Sequence, residues 1–203
     1  MKKVLSTVFG LFLILASYAN ASEELSIEKQ LVGIVGAISG TVKTETRELK
    51  AGDKIYLNET IYAAPGSGTQ ILLLDQSTFT VGEDSEVVMD TFIFDPETND
   101  GKIVASVKQG SLKVISGLIS KKNPDSLTVE VPEGTLGSRG TEFQTIVSKG
   151  KTDTLLIGPG KNNTLGMRPG AVLVGNNLGQ TLLDNPYSMA SMSTVSYTHL
   201  TLP

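Results

Sequence analysis

The chain has no cysteine and no tryptophan, a single histidine, and few aromatic residues, six phenylalanines and five tyrosines among 203 residues. Without cysteine there is no disulfide to close a loop, no thiolate nucleophile and no sulfur ligand for zinc. With His199 as the one imidazole, a Ser-His or Cys-His catalytic pair has no credible member in the body of the chain. Scarce aromatics leave little on which a sugar ring would stack. Basic residues are outnumbered too: 17 Lys and Arg face 21 Asp and Glu, for a net charge of −4. That balance argues against nucleic acid as a partner, since phosphates reward clustered cations. Beyond the N-terminus, no run approaches the ~20 apolar residues that a membrane-crossing helix needs.

What is present begins with a leader. Lys2 and Lys3 precede an apolar stretch over residues 4–16, then the small-residue pattern Ala19-Asn20-Ala21. This is the three-part layout of a secretory signal peptide, residues 1–21, with Ala19 and Ala21 in the peptidase pockets and Ser22 as the first mature residue. No cysteine follows the apolar run, so a lipid anchor through that residue is excluded. The expected product has no stable membrane insertion after cleavage and is periplasmic or secreted. Loss of Lys2 and Lys3 takes the 17 basic residues to 15 against 21 acidic ones, a charge near −6. A polar lead-in, residues 22–29, follows. At the other end Val195-Ser196-Tyr197-Thr198-His199-Leu200-Thr201-Leu202-Pro203 breaks with the composition before it. It resembles a sequencing adapter read through in frame, so residues 195–203 are expected to be a non-native tail, with a short natural strand as the alternative.

Between these ends the text is short apolar or alternating runs punctuated by Gly, Asn, Asp and Pro, the pattern of an all-β chain. In Leu127-Thr128-Val129-Glu130-Val131 the strict alternation turns Leu127, Val129 and Val131 to the core and Thr128 and Glu130 to water. Ile71-Leu72-Leu73-Leu74 is continuously apolar, which predicts a strand covered on both faces. Residues 86–94 and 103–107 are expected to pair across the turn-forming stretch 95–101, rich in Asp, Pro and Gly. Four Gly-led starts, at Gly40, Gly110, Gly140 and Gly170, suggest corners where the chain re-enters a sheet with positive φ. The predicted architecture is a compact β-solenoid-like or sandwich domain over residues 30–147. A Gly-rich β extension follows over 148–194, with Asn176-Asn177-Leu178-Gly179 as a turn between two short strands.

Four stretches, taken in order, resemble the FecR domain family. Val35-Gly36-Ala37-Ile38-Ser39-Gly40-Thr41-Val42 with Leu49-Lys50-Ala51-Gly52-Asp53-Lys54-Ile55 is similar to its opening strand and turn. Gln70-Ile71-Leu72-Leu73-Leu74-Asp75-Gln76-Ser77 with Phe79-Thr80-Val81-Gly82 is similar to its apolar strand, turn and next strand. Lys108-Gln109-Gly110-Ser111-Leu112 and Gly137-Ser138-Arg139-Gly140-Thr141-Glu142-Phe143 resemble its later landmarks, the last being an Arg-Gly-Thr-x-Phe ending. Members of the best-known type are membrane regulators with a cytoplasmic anti-sigma segment, a membrane span and a periplasmic domain. A signal peptide in place of that cytoplasmic segment departs from the plan. The resemblance therefore implies a stand-alone exported sensing or protein-interaction module, with an envelope or periplasmic protein as partner, no cofactor and no catalysis.

Candidate sites are few. Arg139, with Ser138 and Thr141, would make a partner or anion contact, since glycines let successive N–H groups converge and Arg adds a fork of donors. The competing reading is a structural turn in which Arg139 bonds backbone carbonyls. Asp95, Glu97, Asn99 and Asp100 cluster oxygen atoms that would hold Ca²⁺ weakly, but a solvated acidic turn explains them equally, so no metal site is assigned. Two other classes stay open. A carbohydrate-active enzyme would need two carboxylates, such as Asp75 and Asp84, ~5–10 Å apart in a cleft. A structural envelope or secreted matrix component would need no site at all.

Overall fold

The structure, a computed structural model, describes residues 29–163, 166–193 and 197–200. The expected leader with Ala19 and Ala21, and most of the lead-in, lie outside the described residues. The chain first forms β1 (Leu31–Ser39), β2 (Val42–Lys43), β3 (Lys54–Tyr56), β4 (Thr60–Ala63), β5 (Gly68–Leu73) and β6 (Thr78–Val81). Then come β7 (Ser85–Phe94), the long β8 (Gly101–Ile115), a one-turn helix α1 (Leu118–Lys122), β9 (Leu127–Val131) and β10 (Gly134–Ser138). The remainder is β11 (Glu142–Ser148), β12 (Lys151–Gly158), β13 (Val172–Asn176), β14 (Gly179–Leu183), β15 (Met189–Ser193) and β16 (Tyr197–Leu200).

All strands belong to one open sheet that doubles over at β8. One half runs β3-β1-β5-β6-β8-β11-β12-β15-β16 and the other β2-β4-β7-β8-β9-β10-β13-β14. The first part of β8, up to Gln109, pairs with β7, and its segment from Leu112 to Ile115 pairs with β6 and β11. Gly110 marks the change of half. Its φ of +83° lies in the left-handed region, and a Cβ there would come within 2.4 Å of the Ser85 Cα. Ser85 in turn holds the bend, its Oγ accepting from the Ser111 N–H at 2.9 Å and donating to the Glu83 carbonyl at 3.0 Å. Glycine is the one residue that fits both demands. Gly40 and Gly140 likewise have positive φ, at +69° and +70°, whereas Gly170 is small because a Cβ would lie 2.6 Å from the Gly140 carbonyl oxygen.

Alternation sends one face of each half inward. Ile71, Phe79, Leu112, Val114, Phe143 and Leu156 from one half meet Ile61, Met89, Ile103, Leu127, Leu136 and Val174 from the other in a single buried cluster. Removal of this apolar surface from water is the main stabilising term. Leu127 and Val129 are fully buried as the pattern predicts, and the β7–β8 hairpin closes over residues 95–100 as expected. The run at 71–74 behaves differently: Ile71 and Leu73 are buried, but Leu72 and Leu74 are 40% and 47% exposed. This strand is covered on one face only, because nothing among the described residues packs on the outside of its half. Among the described pairings only β8–β9 is parallel. Short hairpin links force antiparallel neighbours, so the sandwich alternative describes the layers and stacked parallel coils do not. The boundary drawn at residue 147 falls near the tip of the β11–β12 hairpin. β13 pairs with β10, and Val172, Val174, Leu183 and Met192 join the same core, so residues 148–193 enlarge the sheet.

Candidate functional site

The segment Gly137-Ser138-Arg139-Gly140-Thr141 links the end of β10 to the start of β11, directly over α1. Alternation carried on from β10 turns Ser138 inward and Arg139 outward. Ser138 is fully buried, its Oγ 2.7 Å from the Ser116 Oγ. The Ser120 hydroxyl donates to the Ser138 carbonyl at 2.9 Å and accepts from the Gly140 N–H at 3.0 Å. The Ser116 Oγ also accepts from the Thr141 N–H, while the Thr141 hydroxyl donates to the Pro159 carbonyl at 3.1 Å. These bonds satisfy the polar groups of a turn whose Ser138 and Thr141 are buried, as burial requires. The hydroxyls of Ser138 and Thr141 are engaged inside the protein.

Arg139 alone of the three reaches the surface. Its Nε and one terminal nitrogen donate to the two carboxylate oxygens of Asp125, each at 2.9 Å. That two-point bond raises the guanidinium above its ordinary pKa. The expectation that a structural Arg139 would bind backbone carbonyls is corrected: its partner is a carboxylate fourteen positions earlier, on the loop between α1 and β9, a separation no local pattern reveals.

The Arg139–Asp125 pair stands between two clefts. On the Asp125 side is a cleft of about 640 Å³ over β9, β10 and β13, where Gly137 and Gly175 leave the sheet bare and Thr128 and Gln180 stand at the sides. On the Arg139 side is a cleft of about 490 Å³ between α1, the ends of β8 and β11, and the loop before β13. Its apolar lining includes Ile115, Pro159, Met167 and Pro169, and Lys121, Lys161 and Arg168 bring positive charge to it. Both volumes fall in the ~300–1,000 Å³ range of ligand sites. Sequence reasoning found Arg139 but missed α1 and with it Ser116, Ser120 and Lys121. The only hint was Lys121 and Lys122 closing the short run 118–122, where cations suit a helix C-terminus.

The remaining candidates are not assembled into sites. Asp75 is fully buried, its carboxylate accepting from the Ser77 N–H at 3.0 Å and the Ser77 hydroxyl at 2.8 Å. Asp84 lies beyond the opposite end of β6, a strand ~13 Å long at ~3.3 Å per residue, so the structure does not join these carboxylates across a cleft. In the β7–β8 turn the Asp95 carboxylate accepts from the Glu97 N–H and the Thr98 hydroxyl, while Asp100 bonds Lys122 and Asn123. The Asp95 carboxylate thus serves the turn itself, and that of Asp100 ties the turn to the end of α1.

Comparison with known proteins agrees with these landmarks. Residues 59–157 match the family model described as FecR protein. The motifs at 70–82, 108–112 and 137–143 fall inside that match. The opening motif precedes it, on strands β1 and β3 that pair with each other and, through β1, with β5. A crystal structure at 1.65 Å of a candidate anti-sigma factor from Parabacteroides distasonis shares the fold with a TM-score of 0.52 at 12% identity, covering 70% of this chain. A second crystal structure of the same description, at 2.50 Å, has a TM-score of 0.49 at 12% identity and the same coverage. The chain spans 57% of the length of each. No curated protein matches the chain.

Proposed function

We propose, for a chain that carries a FecR-family domain over residues 59–157, that the protein is an exported sensing or protein-interaction module of the bacterial envelope that performs no chemistry. The family match carries this reading. It covers most of the strands around the Arg139 turn, including the ends of β8 and β11 that border the basic cleft. Two further observations support it. The N-terminal pattern ending in Ala19-Asn20-Ala21 suits export, and the polar groups of the most distinctive motif are devoted to holding a turn between two open clefts. Partner recognition is then a matter of shape and charge at the clefts and of strand edges that another chain can extend.

Cell fractionation with N-terminal sequencing tests the location: mature protein beginning at Ser22 outside the cytoplasm is expected, and a cytoplasmic or uncleaved product would refute export. Affinity capture from periplasmic extract with purified mature protein tests the role. A saturable partner is expected. Turnover of envelope glycans, without any specific partner, would overturn the binding reading in favour of the carboxylate enzyme.

A further inference from the structure

The basic cleft has an unbalanced charge. Six ion pairs are found among the described residues, and in them Arg139 is matched by Asp125, Lys161 by Asp184, and the bordering Glu142 by Lys113. Lys121 and Arg168 have no carboxylate partner among the described residues. They are held together nonetheless, because the Arg168 guanidinium donates to the Lys121 backbone carbonyl across 47 positions of sequence. Two cationic residues thus line one cleft, the Arg168 guanidinium tied to the Lys121 backbone, on a protein whose net charge is −4. Behind them Ile115 and Met167 are 40% and 51% exposed, with Pro124, Pro159 and Pro169 beside them. An exposed apolar patch rimmed by charged side chains is the composition of an interaction surface.

We infer that this cleft takes a short acidic peptide segment of a partner protein, an aliphatic side chain seated against Ile115 and Met167 and flanking carboxylates on Lys121 and Arg168. The inference rests on the interaction-module reading and names the chemistry of the partner. Charge complementarity selects acidic over basic segments, since a basic one would bring a further cation to a cleft already lined by Lys121 and Arg168. Methionine and proline suit a surface that accepts an aliphatic anchor of variable shape. Arg168 offers planar donors for a carboxylate, and Lys121 adds a flexible point charge.

An array of immobilised heptapeptides provides the test, with Leu or Met at the centre and either Asp and Glu, Lys, or Ser at the flanks. The purified full chain should favour the acidic flanks and lose that preference when Ser replaces the central residue. The double substitution Lys121→Glu with Arg168→Glu should weaken binding of the acidic peptides about tenfold or more, and raise binding of the Lys-flanked ones. Both side chains are exposed, and a thermal melt matching that of the parent will show that the fold is intact. Absence of charge preference, or a preference the double substitution leaves unchanged, would overturn the inference. If the variant still captures its partner from periplasmic extract, the interaction reading stands and only the cleft assignment falls. If neither peptides nor extract yield binding, both fall.

Discussion

At Gly110 the backbone must take a left-handed φ while Ser85 presses against the space a side chain would need. Gly110→Ala combines ~1–2 kcal/mol for the backbone with ~1–3 kcal/mol of overpacking, so a loss of about 2–5 kcal/mol is expected by urea unfolding. A loss under about 1 kcal/mol would mean the bend relaxes freely. Arg139 has a milder expectation. Its bond to Asp125 joins two side chains that are 37% and 43% exposed, so solvent screens most of the attraction. A double-mutant cycle of Arg139→Ala and Asp125→Ala should give a coupling of about 0.2–1 kcal/mol. Ser138→Ala, which removes a buried hydroxyl from the Ser116 and Ser120 cluster, should cost more, about 1–3 kcal/mol. A larger loss from Arg139→Ala than from Ser138→Ala would invert this ranking and make the surface ion pair the anchor of the turn.

Among the elements, the β7–β8 turn carries two carboxylates with an acid response. Bonding to the Thr98 hydroxyl and the Glu97 N–H lowers the Asp95 pKa below its ordinary 3.8, and bonding to Lys122 and Asn123 lowers that of Asp100. A carboxylate depressed in the folded state contributes stability above its unfolded pKa and loses it as the pH falls through the folded value. Thermal melts should therefore hold steady above about pH 4 and decline below pH 3.8, with a smaller decline in Asp95→Asn; an identical acid profile for that variant would exclude the turn as a source. The hairpin itself was legible because Asp, Pro and Gly cluster between two apolar runs, and Leu127 to Val131 was legible from its period of two. Less could be read where contacts are distant. Leu72 and Leu74 look buried in a purely local pattern, and whether a second layer covers them is decided elsewhere in the chain. Arg139 stood out by motif, but its bond to Asp125 and the pairing of Lys121 with Arg168 depend on α1, whose five residues carry too little helical period to register.

For the molecule as a whole, the family-matched segment shares its ladders with the strands on either side of it. β1 pairs with β5, β13 with β10 and β15 with β12, so residues 59–157 alone would expose the flanks of both halves. That fragment is expected to lack a cooperative melt, whereas residues 22–194 should unfold in one transition; a sharp transition for the fragment would show that the flanking strands are accessory. Hydrogen exchange should rank the strands by position: amides of Ala105, Val107, Leu112 and Val114 exchanging slowest and those of β14 fastest. β8 also has a mechanical meaning. As an unbroken backbone passing through both halves, it ties them covalently, so a pull on the molecule cannot slide one half past the other without first stripping neighbouring strands from that shared spar. Load applied at either cleft would be carried to the same tie, and the outermost strands, with one ladder each, would peel before it yields.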